Sequence, residues 1–247
     1  MPLHNHLRSA LALGVLAIYA LGTTPQARAA DDAKLDQHIH DYIIAHPEVI
    51  VEALQKAQAQ AEAQQASDAQ VALHAKQKQL LNDPASPVMG NPKGDVTLVE
   101  FFDYRCPYCK IDAPNVQAAI QADPKLRVVM KEFPILGPDS VFAAKVALVA
   151  AKHGKYAEFH NAMFAAKGQI DESKIMDVAH SVGLDPKKTR AEMNDPAIEK
   201  QIQDNLELAK AVGVEGTPAF VAGDTLLPGA VSPEDLHKLV AQARAKG

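Results

Sequence analysis

Two short apolar runs, residues 96–102 and 127–133, flank a stretch of helical composition. Strand, helix, strand in that order forms a parallel pair joined by a right-handed crossover. The first run is apolar enough to be central in a sheet. Where the strand gives way to the helix, the chain reads Phe101-Phe102-Asp103-Tyr104-Arg105-Cys106-Pro107-Tyr108-Cys109, and these are its only 2 cysteines. A secreted chain with one CxxC and nothing else to pair has no disulfide framework to build. The pair then reads as a working redox couple that cycles between dithiol and disulfide.

The N-terminus supplies the secreted context. Residues 1–8 carry positive charge and no acid, residues 11–21 are apolar, and Ala27-Arg28-Ala29 is a small-x-small cleavage site. This is the three-part pattern of a signal peptide over residues 1–29, with an apolar part too short to span a bilayer. No later stretch is apolar enough for a transmembrane helix, so no membrane insertion is expected, and the leader's style points to a Gram-negative periplasm. The formal net charge is −5 and becomes more negative once Arg8 and Arg28 leave with the leader. That balance argues against nucleic acid as a partner.

Residues 31–82 differ in character from the rest. Leu35, Ile39, Tyr42 and Ile43 sit at helical spacing, Pro47 suits the first turn of a second helix, and Val49, Ile50, Ala53, Leu54 and Ala57 continue the stripe. Residues 53–79 are rich in alanine and glutamine, with strong helix propensity and a thin apolar face. Such a helix is marginal alone. It either associates with copies of itself or forms a frayed arm. Turn-rich residues 83–87 and 91–95 mark the boundary, giving a helical stalk over residues 30–87 and a domain over residues 88–247. Within the domain, residues 138–213 read as almost continuous helix. A hairpin follows, turned at Gly223-Asp224, and Ser232 caps a last helix.

The chemistry centres on the helix start. Cys106 is expected to point outward at the positive end of the helix dipole, which favours its thiolate and makes it the attacking sulfur. Cys109, one turn on and on the same face, resolves mixed disulfides. Pro107 stiffens the first turn, and Tyr108 is expected in the open, where it contacts partners. Strand alternation is expected to turn Glu100 inward, where burial would raise its pKa and let it take the Cys109 proton, the alternative being an edge position with a wet carboxylate. Lys131 and Glu132 read as a solvated strand end. Gly216-Thr217-Pro218 precedes the hairpin, and a cis Thr217–Pro218 bond would turn the Thr217 backbone toward the CxxC to pair with an extended substrate. Zinc lacks a second ligand pair, so no metal site and no cofactor are expected. Two thiolates also suit Cu(I), which leaves copper binding as an alternative use of the same cysteines.

Three motifs in order carry a resemblance: Phe101 to Lys110, then Lys131-Glu132-Phe133-Pro134-Ile135-Leu136-Gly137-Pro138, then Val214-Glu215-Gly216-Thr217-Pro218-Ala219-Phe220. Together they resemble the DsbA-like branch of the thioredoxin superfamily. The resemblance implies an α/β thioredoxin fold with an inserted helical domain. It implies Cys106 as nucleophile, Cys109 as resolving thiol, Pro218 as the cis-proline and Glu100 as the buried acid. The N-terminal part, with IIAHPEVIVEAL over residues 43–54, resembles the suppressor-of-copper-sensitivity C proteins. That likeness implies a homotrimer through residues 31–82, protein substrates with cysteines, a membrane redox partner and isomerase activity. The dipeptide between the cysteines is Pro-Tyr rather than the Pro-His of the strong oxidases, so oxidase and isomerase both stay open.

Overall fold

The computed structural model describes residues 25–246, with side chains from Asp32 onward. The expected leader lies outside the described residues as far as Thr24, and Pro25 opens the first helix. Among the described residues no helix is long and apolar enough to cross a membrane. The chain divides into two units, residues 1–61 and 62–247.

In the first unit, α1 (Pro25–Ala45) stops before His46-Pro47 and α2 (Glu48–Ala75) starts directly after. Proline has no N–H to give to a continuing helix. Its carbonyl accepts from Ile50 N at 3.1 Å and so opens α2. Most of the apolar stripe read from the sequence lies in the open: Leu35, Ile39, Tyr42, Val49, Ile50 and Leu54 are exposed, and Ile43 is half-buried.

The second unit begins earlier than the expected boundary at residue 88. Leu73, near the end of α2, and Leu80, in α3 (Gln77–Leu81), are buried with Val99, Phe101, Leu208 and Val214. Residues 62–87 therefore belong with the domain. Leu73 and Leu80 stand out in the sequence only as apolar residues near the end of the alanine-rich stretch, and the structure puts both, from two successive helices, into one core.

A five-stranded sheet forms the centre, in the order β1 (Val88–Gly90), β3 (Leu126–Glu132), β2 (Val96–Phe102), β4 (Ala219–Ala222) and β5 (Thr225–Pro228). β2 and β3 are parallel, joined through α4 (Pro107–Ala122), and every other pairing is antiparallel. The turn-rich residues 83–87 and 91–95 give no sign of β1 between them, since a three-residue edge strand shows no alternation. Five helices separate β3 from β4: α5 (Pro138–Lys152), α6 (Tyr156–Ala165), α7 (Glu172–Ser181), α8 (Pro186–Glu192) and α9 (Pro196–Ala211). Asp171, Asp185 and Asp195 cap the last three by accepting backbone N–H groups. A final helix, α10 (Pro233–Lys246), packs against α4 and β2.

Alternation along β2 sorts its side chains between two cores. Leu98, Glu100 and Phe102 face α4, whose buried side carries Cys109, Asp112 and Val116. Val99 and Phe101 face Leu73, Leu80 and Leu208 instead. Lys131, beside Phe101 in the ladder, shares that second face. It is fully buried rather than solvated, and its ammonium donates to Gln79 O, Asp83 Oδ2 and Ser86 Oγ at 2.8, 3.0 and 2.7 Å.

Candidate active site

Cys106 is the N-cap of α4, with extended backbone at φ −73° and ψ 119°, and Pro107 is the first helical residue. Proline loses nothing there, because the first N–H groups of a helix have no intrahelical partner. Asp103 shapes the approach. Its carboxylate accepts from Arg105 N at 2.8 Å, and from Ile135 N and Leu136 N at 2.9 and 3.0 Å. Arg105 returns a bond to the Leu136 carbonyl at 2.9 Å. One buried acid thus ties the turn before the cysteines to the loop after β3.

Cys106 is only 4% exposed, so it is less open than the sequence suggested. The cover is the loop before β4. The Thr217–Pro218 bond is cis, and the Cys106 thiol donates to the Thr217 carbonyl at 3.2 Å. Gly229 N donates to the Pro218 carbonyl at 2.8 Å and fixes the other side of that loop. Both cysteines are free thiols, and Cys109 is entirely buried. Burial pushes the Cys109 thiol well up; a backbone hydrogen bond from Asp103 opposes this, while Cys106 and Glu100 add to it. Tyr108 lies in the open at 60% exposure, with Ile111, Ile135 and Leu136 also exposed.

Glu100 stands in the middle of the central strand, between Met130 and Phe220 of its neighbours. It is 1% exposed, and its Oε2 has no hydrogen-bond partner. Burial, with the Asp112 carboxylate adding to it, pushes its pKa up to about 8. A carboxylate without a partner in a low-dielectric core favours its neutral form. Such an acid exchanges a proton near neutral pH.

Other buried groups surround the site: Asp112 and His160 have no role in the sequence analysis, and Glu132, expected at a solvated strand end, is 1% exposed. Asp112 is one turn beyond Cys109 on the same buried face. Glu132 sits on β3, accepting from Tyr156 OH at 2.9 Å and Tyr104 OH at 3.4 Å, with His160 Nδ1 3.3 Å from Tyr104 OH. Burial raises Glu132 well above the carboxylate range and lowers His160 to about 3, so the neutral forms prevail. The i+3 spacing from Cys109 marks Asp112 as inward-facing. His160 and Tyr156 have no comparable local signal, because the insertion brings them in from far along the chain.

Comparison with known proteins follows this geometry. A family described as DSBA-like thioredoxin domain matches residues 97–241, and one described as Copper resistance protein ScsC N-terminal domain matches residues 31–64. A thioredoxin-like oxidoreductase from Silicibacter pomeroyi DSS-3 is 45% identical, covers 68% of this chain and 97% of its own, and superposes with a TM-score of 0.67. Proteus mirabilis ScsC in a transitional conformation is 31% identical, covers 89% of this chain and 99% of its own, also at 0.67. Among curated proteins, the thiol:disulfide interchange protein DsbA of Bordetella pertussis is 27% identical over 142 residues, 68% of its length. The chain spans only 24% of the Na(+)/H(+) antiporter NhaA 1 of Salinispora arenicola, at 28% identity over 160 residues. With a CxxC at the head of α4, a parallel β2–α4–β3 unit and a helical insertion before β4, the chain belongs to the DSBA-like thioredoxin-domain family of thiol-disulfide oxidoreductases.

Proposed function

We propose that this chain is a periplasmic protein-disulfide isomerase and reductase that acts through Cys106 and Cys109 as a homotrimer. The observation that carries the chemistry is the approach of Cys106 Sγ to the Thr217 carbonyl, with Cys109 one turn deeper. The Cys106 thiolate attacks a substrate disulfide, forms a mixed disulfide and releases one substrate thiolate. In isomerisation that thiolate, or another on the same substrate, attacks the mixed bond and returns Cys106 reduced, with no net electron transfer. In reduction Cys109 gives its proton to Glu100, its sulfur attacks Cys106 Sγ, and the second substrate thiolate leaves. A membrane redox partner then supplies two electrons to restore the dithiol. Thr217 and Pro218 hold the substrate backbone. Tyr108, Ile111, Ile135 and Leu136 offer an apolar rim to unfolded chains.

The isomerase direction draws its support from residues 31–61. Their exposed apolar stripe calls for a partner, and a closed symmetric oligomer of the same segment buries it. Several CxxC sites around one bound substrate allow repeated attack before it escapes. Deleting residues 31–61, rather than 31–82, spares Leu73 and Leu80. The expected product is a redox-active monomer that loses isomerase activity on scrambled ribonuclease and gains oxidase activity. Light scattering on both forms decides the matter. A full-length chain that is monomeric at micromolar concentration moves the oxidase reading ahead.

A further inference from the structure

Asp112 lies outside every role assigned so far. It is 1% exposed, on the α4 face that also carries Cys109, and it shares the β2–α4 layer with Glu100. Its Oδ2 accepts from Val231 N at 2.9 Å and its Oδ1 from Asn115 Nδ2 at 3.4 Å. The same Asn115 amide reaches the Val231 carbonyl at 3.4 Å. Burial raises the Asp112 pKa above the usual carboxylate value, and the hydrogen bonds from Val231 and Asn115 oppose that rise and hold the carboxylate in position. Glu100, by contrast, has an oxygen with no partner at all. Two buried carboxylates in one layer are thus unequally solvated by the protein: one is anchored by N–H groups and the other is not. When like charges share a site, the better-satisfied one ionises first and the other is held protonated.

We infer that Asp112 is a positioning residue for the resolving step: its anchored carboxylate makes Glu100 the stronger base toward the Cys109 thiol. In that step the Cys109 proton passes to Glu100, the Cys109–Cys106 bond forms, and the Cys106–substrate bond breaks to release a substrate thiolate. The other titratable groups facing Glu100 are Cys109 from α4, Glu132 from β3 and Tyr104 from the turn after β2. α10 presents only Leu236, Leu239 and Val240 to the core. Asp112 is the group among these that is both acidic and anchored by backbone. The Val231 bond also links α4 to the loop that carries Gly229, the donor to the Pro218 carbonyl.

The inference rests on the thiol–disulfide reading, and one experiment separates the two. The full-length protein is loaded with a cysteine-peptide mixed disulfide at Cys106, and peptide release is followed by quenched flow against pH. In Asp112→Asn the midpoint is expected to fall by about 1 pH unit, since a neutral amide still accepts from Val231 N but carries no charge. Asn115→Ala, which removes the weaker of the two anchors and no charge, is expected to lower the midpoint by clearly less, because Val231 N still holds the carboxylate. Coincident midpoints in wild type and Asp112→Asn overturn the inference, as does an equal shift in Asn115→Ala. Failure to load Cys106 at all sinks the thiol–disulfide reading instead. Carboxyl NMR of Glu100 and Asp112 in the unmodified reduced protein covers the case of a variant that does not fold. Glu100 is expected to lose its proton only after Asp112 has ionised, and the reverse order overturns the inference.

Discussion

Glu100 and Lys131 sit on adjacent central strands of one sheet, both buried, one on each face. Lys131 has all three ammonium donors filled by Gln79, Asp83 and Ser86, whereas Glu100 has an oxygen with none. A buried charge with every donor satisfied locks structure, and here it pins the loop before β1 to β3. A buried acid left short of partners costs stability and titrates within the working range of a thiol enzyme. The sheet thus separates a structural face from a chemical one, and the cysteines lie on the chemical one.

Three substitutions and one deletion press on that division, starting with the largest effect. Cys106→Ser is expected to lower disulfide-exchange rates by at least about 10³-fold with the fold unchanged, measured by insulin reduction and circular dichroism. Lys131→Met removes the structural charge and the ammonium bonds to Gln79 O, Asp83 and Ser86, leaving the Asp83 carboxylate only its bonds from Ser86 Oγ and Ala85 N. It is expected to cost roughly 2–4 kcal/mol in urea unfolding while exchange rates in the folded protein hold. An unchanged stability would break the contrast.

Glu100→Gln is expected to do the opposite. Its folded pKa is raised, so the stability that Glu100 contributes is fully present below about 4.5 and is lost as pH rises through about 8. The glutamine variant should therefore be more stable than wild type by roughly 4 kcal/mol at pH 8, converging with it near pH 4.5, while the resolving step slows. Equal stability at both pH values would contradict the assignment. The smallest effect belongs to deletion of residues 31–61, which should change the unfolding free energy of the second unit by less than about 1 kcal/mol.

Much of this was legible in the sequence because it is local. The strand ahead of the CxxC, the proline at the helix start and the hairpin after Thr217-Pro218 each have a short-range signature. Period-2 alternation alone turned Glu100 inward. What escaped depends on partners far along the chain. Lys131 reads as a strand end until α3 and Ser86 fold over it, and Glu132 reads as exposed until Tyr156 arrives from the insertion. The unit boundary was misplaced because alanine and glutamine dominate residues 53–79, and two leucines decide which part is core.

The most direct test of the account is covalent trapping in the full-length chain. Cys109→Ser and Cys106→Ser variants are incubated with scrambled ribonuclease and run on non-reducing gels, with the adduct site read by mass spectrometry. The account predicts stable adducts through Cys106 in Cys109→Ser and none in Cys106→Ser, because Cys106 sits at the helix start beside Thr217 and Cys109 is entirely buried. Equal trapping by both variants, or by neither, would contradict it.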